Sequence, residues 1–299
     1  MPTLLVWIVA VAAAPENVAA NVNGEVIRID EVDAVLRRRP PVSTPLTAEQ
    51  VRRLRRAVLD GLVDDLLLKQ FLRQNGPKVE PADVDRLMGG LAAAQRKRGK
   101  SLADYFREVG RTEAEVREAW ATMLQFQRYA DAKATDAELK QYFEANRDFF
   151  DRATVTVSHI VLRVPADAPA GERQAARQTL LALRNDIVAG RVGFADAALR
   201  HSVCPSARSG GKMGPLTRKD PSQDEPFLRA AFALKVGDLS EPVDTDVGVH
   251  LIRVTDRSPG SPASFDRIAD LVKECFAEDL RQQILAELRK AGTIQVVLP

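Results

Sequence analysis

TVTVSHIVLR, residues 154–163, and VGVHLIRVTD, residues 247–256, are the two runs whose reading decides the fold. Both are rich in β-branched residues, which suit the pleated surface of a sheet. Side chains alternate across a strand, so Val155, Val157, His159 and Val161 share one face of the first run, and Ser158, Ile160 and Leu162 share the other. In the second run His250, Ile252 and Val254 fall on one face. Each run carries one imidazole in an apolar setting, although the whole chain has only three histidines. Between them lie two helical patterns, the Gly-rich loop SARSGGKMGP (206–215) and Cys204.

Working outward, SPGSP at 258–262 reads as a linker. A long helix follows over 264–291, with Phe265, Ile268, Leu271, Val272, Cys275, Leu280, Ile284 and Leu288 as its apolar stripe and Gly292 as its stop. TIQVVLP then closes the chain as a strand. On the other side, residues 31–150 are almost wholly helical. Thr47 with Gln50, Thr112 with Glu115, and Thr135 with Glu138 are capping-box pairs, and Val51, Leu54, Val58, Leu62 and Leu66 recur at helical spacing. Further helices follow Pro81 and Ser101. At the front, Asn23-Gly24 predicts a tight hairpin within residues 22–29, and Asp30 the N-cap of a helix that Pro40, Pro41 and Pro45 end.

A long helix with a full apolar stripe needs a partner surface, and the N-terminal helices offer one. The last strand would then pair with the 18–29 hairpin. The expected fold is α+β: a mainly helical, discontinuous domain of residues 18–153 completed by 263–299, into which a small antiparallel sheet flanked by helices is inserted over 154–258.

Charge and length limit the functions open to such a chain. The 299 residues suffice for roughly two domains. With 43 basic and 41 acidic residues there is no one-signed field to draw in nucleic acid or an anionic membrane. The basic runs at 52–56 and 96–98 sit among acidic residues and read as solvated helix faces. Cys204 and Cys275 have no metal-like or disulfide-framework spacing and read as separate thiols. A zinc site from Cys204, His159, His201 and His250 lacks any pair at short ligand spacing, so no metal and no cofactor is expected. The leader LLVWIVAVAAA (4–14) is short for a membrane span and ends in small residues. It resembles an export signal within residues 1–17, although its first three residues carry no Lys or Arg. An extracytoplasmic, periplasmic location is the expectation.

From Val157 on, VSHIVLR, IVAGRVGFADAALRHS, CPSARSGGKMG, PFLRAAFALKVGDLSEPV and TDVGVHLIRV occur in an order that resembles the parvulin family of peptidyl-prolyl isomerases. The flanking NVNGEVI, TDAELKQYFEANRDFF and the long C-terminal helix are similar to the SurA-type and PrsA-type extracytoplasmic foldases. The resemblance implies a parvulin-like domain over 154–258 and a chaperone-like helical domain around it. It also implies an isomerase of X-Pro bonds whose partners are unfolded or partly folded polypeptides, with no nucleic acid partner and no stable membrane insertion once the signal is removed. By the same resemblance His159 and His250 are the active-site histidine pair, Cys204 holds the position taken by Cys or Asp, and Thr245 is the hydroxyl that holds the pair. Met213 and Phe227 would line the pocket for the proline ring, with Gly210 and Gly211 in the loop beside it.

Three places depart from the family pattern, one of them Val247, which stands where some members carry Ser and others an aromatic or other residue. The third apolar wall falls near Ser222 or Gln223, in the polar loop TRKDPSQDE. The basic cluster that reads phosphate is reduced to Arg163, followed by Asp167 and Glu172, which argues against phosphoserine-proline specificity. The chemistry needs no bond to break. Rotation about X-Pro faces roughly 18–20 kcal/mol of amide resonance, which falls when the twisted amide is bound better than either planar form. Cys204 is read as an electrostatic group and not as a nucleophile. Taken alone, each of these residues has a plainer reading: His159 as a satisfied core histidine, Cys204 as a small hydrophobe, and Met213 and Phe227 as core. A non-catalytic holdase whose parvulin unit only binds peptide, and an adaptor for one fixed partner, are the alternative functions.

Overall fold

In a computed structural model the protein is described over residues 17–39, 45–165 and 168–298. The leader reading, Pro40, Pro41 and Asp167 lie outside the described residues. In chain order the elements are β1 (Val18–Val22), β2 (Glu25–Arg28), α1 (Ile29–Arg37), α2 (Ala48–Asn75), α3 (Pro81–Lys97), α4 (Leu102–Val109), α5 (Glu113–Lys133), α6 (Asp136–Ala145) and α7 (Arg147–Phe150). Then come β3 (Thr154–Arg163), α8 (Ala170–Val188), α9 (Phe194–His201), a 3-10 helix (Pro205–Ser209), β4 (Lys212–Thr217), α10 (Glu225–Ala233), β5 (Val243–Asp244), β6 (Gly248–Ser258), α11 (Phe265–Ala291) and β7 (Ile294–Val296). The fold is mostly helical with small antiparallel sheets.

These elements form two compact units, one of residues up to 138 with those from 273 on, the other of residues 139–272. The boundaries fall inside α6 and α11. The second unit is longer than the 154–258 stretch because aromatic packing extends it at both ends: Phe143 lies 5.3 Å from Phe150 and 5.7 Å from Phe265 between ring centroids.

In the first unit β1 pairs antiparallel with both β2 and β7, in the order β2-β1-β7. The β1–β2 turn has Asn23 at φ 54° and Gly24 at φ 90°, the left-handed backbone that a two-residue hairpin needs. Its core joins Val22, Ile27 and Val32 to Leu59, Val63, Leu67 and Leu72 of α2 and Leu285 of α11. The capping boxes at Thr47–Gln50 and Thr112–Glu115 form as read. The helix start at Asp30 is corrected: α1 begins at Ile29 with Arg28 as N-cap, because the Glu31 carboxylate accepts from the Arg28 amide at 2.9 Å. No helix among the described residues is long and apolar enough to cross a membrane.

The second unit holds a four-stranded antiparallel sheet in the order β4-β3-β6-β5. Three α-helices and a 3-10 turn connect its strands, not two helical patterns, because Gly190 at φ 70° ends α8 and lets α9 start afresh from Gly193. Both faces of β3 are buried. Val155 and Val157 pack with Phe227, Leu228 and Phe232 of α10, and Ile160 packs with Leu180 of α8 and Phe194 of α9. Ser258, read as linker, is the last residue of β6 and pairs with Thr154.

Candidate active site

The β3–β6 register brings the two imidazoles together. His159 stands opposite Ile252 and Val161 opposite His250, so the histidines are diagonal neighbours on one sheet face. Their ring centroids are 5.6 Å apart, with planes tilted by 33°. Phe227 of α10 meets both rings edge-on, at 5.8 Å from His159 and 5.4 Å from His250. That face of β3 and β6 is otherwise apolar, and α10 covers it with Phe227 because Pro226 opens the helix just ahead of that residue.

Each ring is held by one hydroxyl. Thr245 Oγ1 lies 2.9 Å from His250 Nε2, and itself accepts from the Val247 amide at 3.2 Å. Ser206 Oγ lies 3.1 Å from His159 Nε2. Neither Nδ1 has a hydrogen-bond partner among the described residues. Both histidines are only 5% exposed, and Thr245 7%. Burial penalises the charged imidazolium and pushes His159 below its ordinary range. His250 is pushed down to about 4, by burial first and then by the neighbouring imidazole, against the opposing fields of Asp224 and Asp244. The pair is therefore neutral at physiological pH, able to donate and accept hydrogen bonds without carrying charge.

Cys204 is half-buried and caps the 3-10 helix that presents Ser206. That segment is laced to the end of β3: the Val203 amide donates to Val161 O at 3.1 Å, and the Val161 amide to Ser202 Oγ at 3.1 Å. Gly211 sits against His159, whose amide donates to Gly211 O at 2.9 Å. At φ 78°, with a would-be Cβ falling on the His159 carbonyl oxygen, only glycine fits there. Gly210, at φ 70°, ends the 3-10 helix and abuts Ala195. Met213 is half-buried against the cluster containing Phe227, while Phe227 is 1% exposed. Of these two, only Met213 offers surface to solvent.

At the expected third wall, Ser222 is exposed and its amide and hydroxyl both donate to Asp220 Oδ1, at 2.9 and 2.6 Å. The lip there is polar. Two participants were not singled out from sequence. Ser206 is one of two serines in CPSARS, and only its place two residues after Cys204 and just behind Pro205 distinguishes it. Arg173, at the start of α8, donates to the carbonyls of Thr245 (3.0 Å) and Val164 (3.1 Å) and so pins the turn that carries Thr245. Beside Thr245 a cleft of about 480 Å³ opens between α8, the start of α10 and the turn after β5.

Residues 159–256, which contain this arrangement, match the family model of the rotamase, or PPIC-type PPIase, domain. A peptidyl-prolyl cis-trans isomerase Pin1 from Malus domestica is 49% identical over 83 residues, which cover 28% of this chain and 67% of the relative. Its counterpart from Arabidopsis thaliana is 47% identical over 83 residues, 28% of this chain and 68% of the relative. The chain belongs to the parvulin-type peptidyl-prolyl isomerase family. Over 311 aligned positions, 95% of this chain and 89% of the relative, the parvulin is also 24% identical to the foldase protein PrsA of Clostridium botulinum (strain Loch Maree / Type A3).

Proposed function

We propose that this parvulin is a peptidyl-prolyl cis-trans isomerase acting on X-Pro bonds of unfolded or exported polypeptides, and that its helical unit holds non-native clients. The observation that carries the reading is the neutral, buried imidazole pair set edge-on to Phe227, each Nε2 tied to a hydroxyl. The proline ring rests beside Met213, above the Phe227 and histidine floor, and loses water there. Withdrawing water from the amide carbonyl removes hydrogen bonds that favour the planar, charge-separated resonance form. The twisted amide carries a more pyramidal nitrogen, and the neutral imidazole pair forms a polar floor beneath it without an imidazolium having to be desolvated. Cys204 acts on the carbonyl electrostatically. No covalent step and no cofactor enters the scheme.

The test is turnover of an Ala-Pro-Phe peptide in a protease-coupled assay. His159→Ala and Met213→Ala each lower kcat/KM by about ten- to a hundredfold, in line with loss of groups that act mainly in the transition state. Absence of turnover by the folded wild-type chain overturns the reading. Phe227→Ala is the poorer probe, since truncating so buried a ring costs roughly 3–5 kcal/mol of stability.

One observation favours a holdase as the second reading, namely the polar lip at Ser222 and Asp220. A His159→Ala chain that still suppresses aggregation of an unrelated unfolded protein separates holding from isomerisation. Extracytoplasmic location is part of the proposal, supported by the leader at 4–14 and by the likeness to a foldase over nearly the whole chain. N-terminal sequencing of the exported protein tests it: a first residue near Pro15 supports removal of a signal, and retention in the cytoplasm rejects the location.

A further inference from the structure

One stripe of α8 carries arginine where a helix packed on a sheet would be expected to carry apolar residues. Arg173, Arg177, Leu180 and Arg184 stand at i, i+4, i+7 and i+11, within about 60° of one another around the helix axis. Leu180 is fully buried with Ile160 of β3 and with Val249 and Leu251 of β6, so the stripe faces the sheet. The arginines are drawn in beside it, their side chains 26%, 40% and 24% exposed in chain order. They end on the backbone of the segment that leads into β6. Arg184 Nε donates to Ser240 O at 3.0 Å, Arg177 Nη1 to Pro242 O at 3.1 Å and Arg173 Nη1 to Thr245 O at 3.0 Å. The second nitrogen of Arg173, Nη2, donates to Val164 O at 3.1 Å and Pro165 O at 3.4 Å, just past the end of β3. One guanidinium thus bridges the chain leaving β3 and the turn entering β6. Asp244 balances the charge, pairing with Arg177 and lying 3.5 Å from Arg173.

The segment depends on such ties because its own sheet pairing is short. β5 is two residues long, with Val243 opposite His250 and Asp244 opposite Val249. The turn after it closes on itself, the Thr245 amide donating to Gly248 O at 2.9 Å and the Val247 amide to Thr245 Oγ1 at 3.2 Å. The Asp246 amide is tied to Asp224 Oδ2 at 3.1 Å. Across to the end of β3 the turn is joined by the Val164 amide, which donates to Val247 O at 3.2 Å, and by the Arg173 fork. It is the fork that holds Thr245 itself, and Thr245 Oγ1 hands that placement to His250 Nε2 at 2.9 Å. We propose that Arg173, seconded by Arg177, is a positioning residue for isomerisation: from α8 it fixes Thr245, and through Thr245 the tilt of the His250 ring.

This role deepens the isomerase reading and rests on it. Its signature is a difference between arginine and lysine. A lysine keeps the charge beside Asp244 but offers one ammonium where a planar fork spans two backbone segments. A ring displaced by a fraction of an ångström loses rate more than it loses substrate binding, so the loss falls on kcat.

The experiment measures kcat and KM of the full chain on Ala-Pro-Phe for Arg173→Lys, Arg177→Lys and Arg184→Lys, beside their thermal unfolding midpoints. Arg173→Lys is expected to lower kcat by about tenfold with KM within about twofold, and Arg177→Lys to lower kcat by less. Arg184→Lys is the control, because Ser240 is held independently, its amide and hydroxyl bonded to the Ile252 backbone at 2.8 and 2.9 Å. There kcat stays within about twofold of wild type, whatever the midpoint does. In a Thr245→Val chain the further change Arg173→Lys is expected to cost no more than about twofold, since the hydroxyl through which it acts is gone. The nitrogen NMR signal of His250 Nε2 gives a readout that needs no turnover: Arg173→Lys moves it toward its value in Thr245→Val. Should Arg173→Lys fail to fold, Arg177→Lys takes its place in the cycle and in the spectra, with smaller effects of the same sign. A loss of kcat that merely follows the midpoints of the lysine variants, a loss that persists in full without the Thr245 hydroxyl, or an unmoved His250 signal overturns the positioning role and leaves the isomerase reading intact. No turnover by the folded wild-type chain removes the isomerase reading, and this role with it.

Discussion

At the scale of single residues the site depends on imidazoles kept neutral by burial and on hydroxyls that fix their tilt. Loss of the Thr245 hydroxyl in Thr245→Val leaves His250 Nε2 buried without a partner, which costs about 1–3 kcal/mol. Denaturant unfolding reads that cost, and kcat/KM falls further than stability alone accounts for. Acid brings a second expectation. The folded His250 takes its proton at about 4, and the unfolded chain at about 6.5, so between those values the unfolded state binds the extra proton. Stability is full above pH 6.5 and declines as pH drops through 4, with His250 accounting for roughly 3 kcal/mol of the loss. His159 is shifted the same way by burial and adds to it. Turnover is accordingly flat from pH 8 to about 6 and collapses toward pH 4; a bell centred on an imidazole of ordinary pKa would contradict the burial argument. The histidines were legible in sequence because imidazoles are scarce in this chain and each interrupts an apolar strand face. Ser206 was not, because serine is common in loops and its place just behind Pro205 does not reveal that its hydroxyl meets a strand residue 47 positions earlier.

At the scale of elements, glycines divide into those that free a turn and those that admit a neighbour. Gly190 ends α8 at φ 70° with open space about it, so Gly190→Ala costs only the left-handed backbone, about 1–2 kcal/mol, and leaves turnover intact. Gly211 has a similar φ of 78° but lies against the His159 carbonyl, so Gly211→Ala must also move β3 or the loop. It is expected to lose more than Gly190→Ala in thermal unfolding and to lower kcat/KM by an order of magnitude or more, because the shift is passed directly to His159. Equal effects of the two substitutions would show that the loop is not what positions the ring. Helix starts were legible where both members of a capping box lie within four residues, as at Thr47–Gln50 and Thr112–Glu115. The α1 start was misread for a local reason: Asp30 is the commoner N-cap residue, yet Glu31 reaches back to the Arg28 amide and moves the helix start ahead of Asp30.

For the whole molecule, the pairing of β7 with β1 brings residues 294–296 onto residues 20–22, more than 270 positions away in the chain. Sequence pattern gave the strand and the incentive to pair it. The register, Ala20 with Val296 and Val22 with Ile294, depends on side chains of α2 and α11 that meet only in the folded unit. Ile294, Val296 and Leu298 pack on the core of the first unit, and Asn23 clasps the Thr293 amide at 2.8 Å. The core of the second unit draws instead on β3, β4, β6 and α10 on one sheet face and on α8, α9 and the other face of β3 and β6 on the other. Since each unit has its own core, their stabilities are separable. Removing residues 293–299 uncovers the β1 edge and strips those apolar contacts, so the unfolding midpoint of the first unit drops by several degrees or more, while the second unit keeps its midpoint and its turnover of Ala-Pro-Phe. Differential scanning calorimetry of the truncated chain, read beside the peptide assay, decides the matter. A single transition that shifts as a whole, with activity lost in parallel, would mean that the histidine pair depends on the helical unit for its geometry.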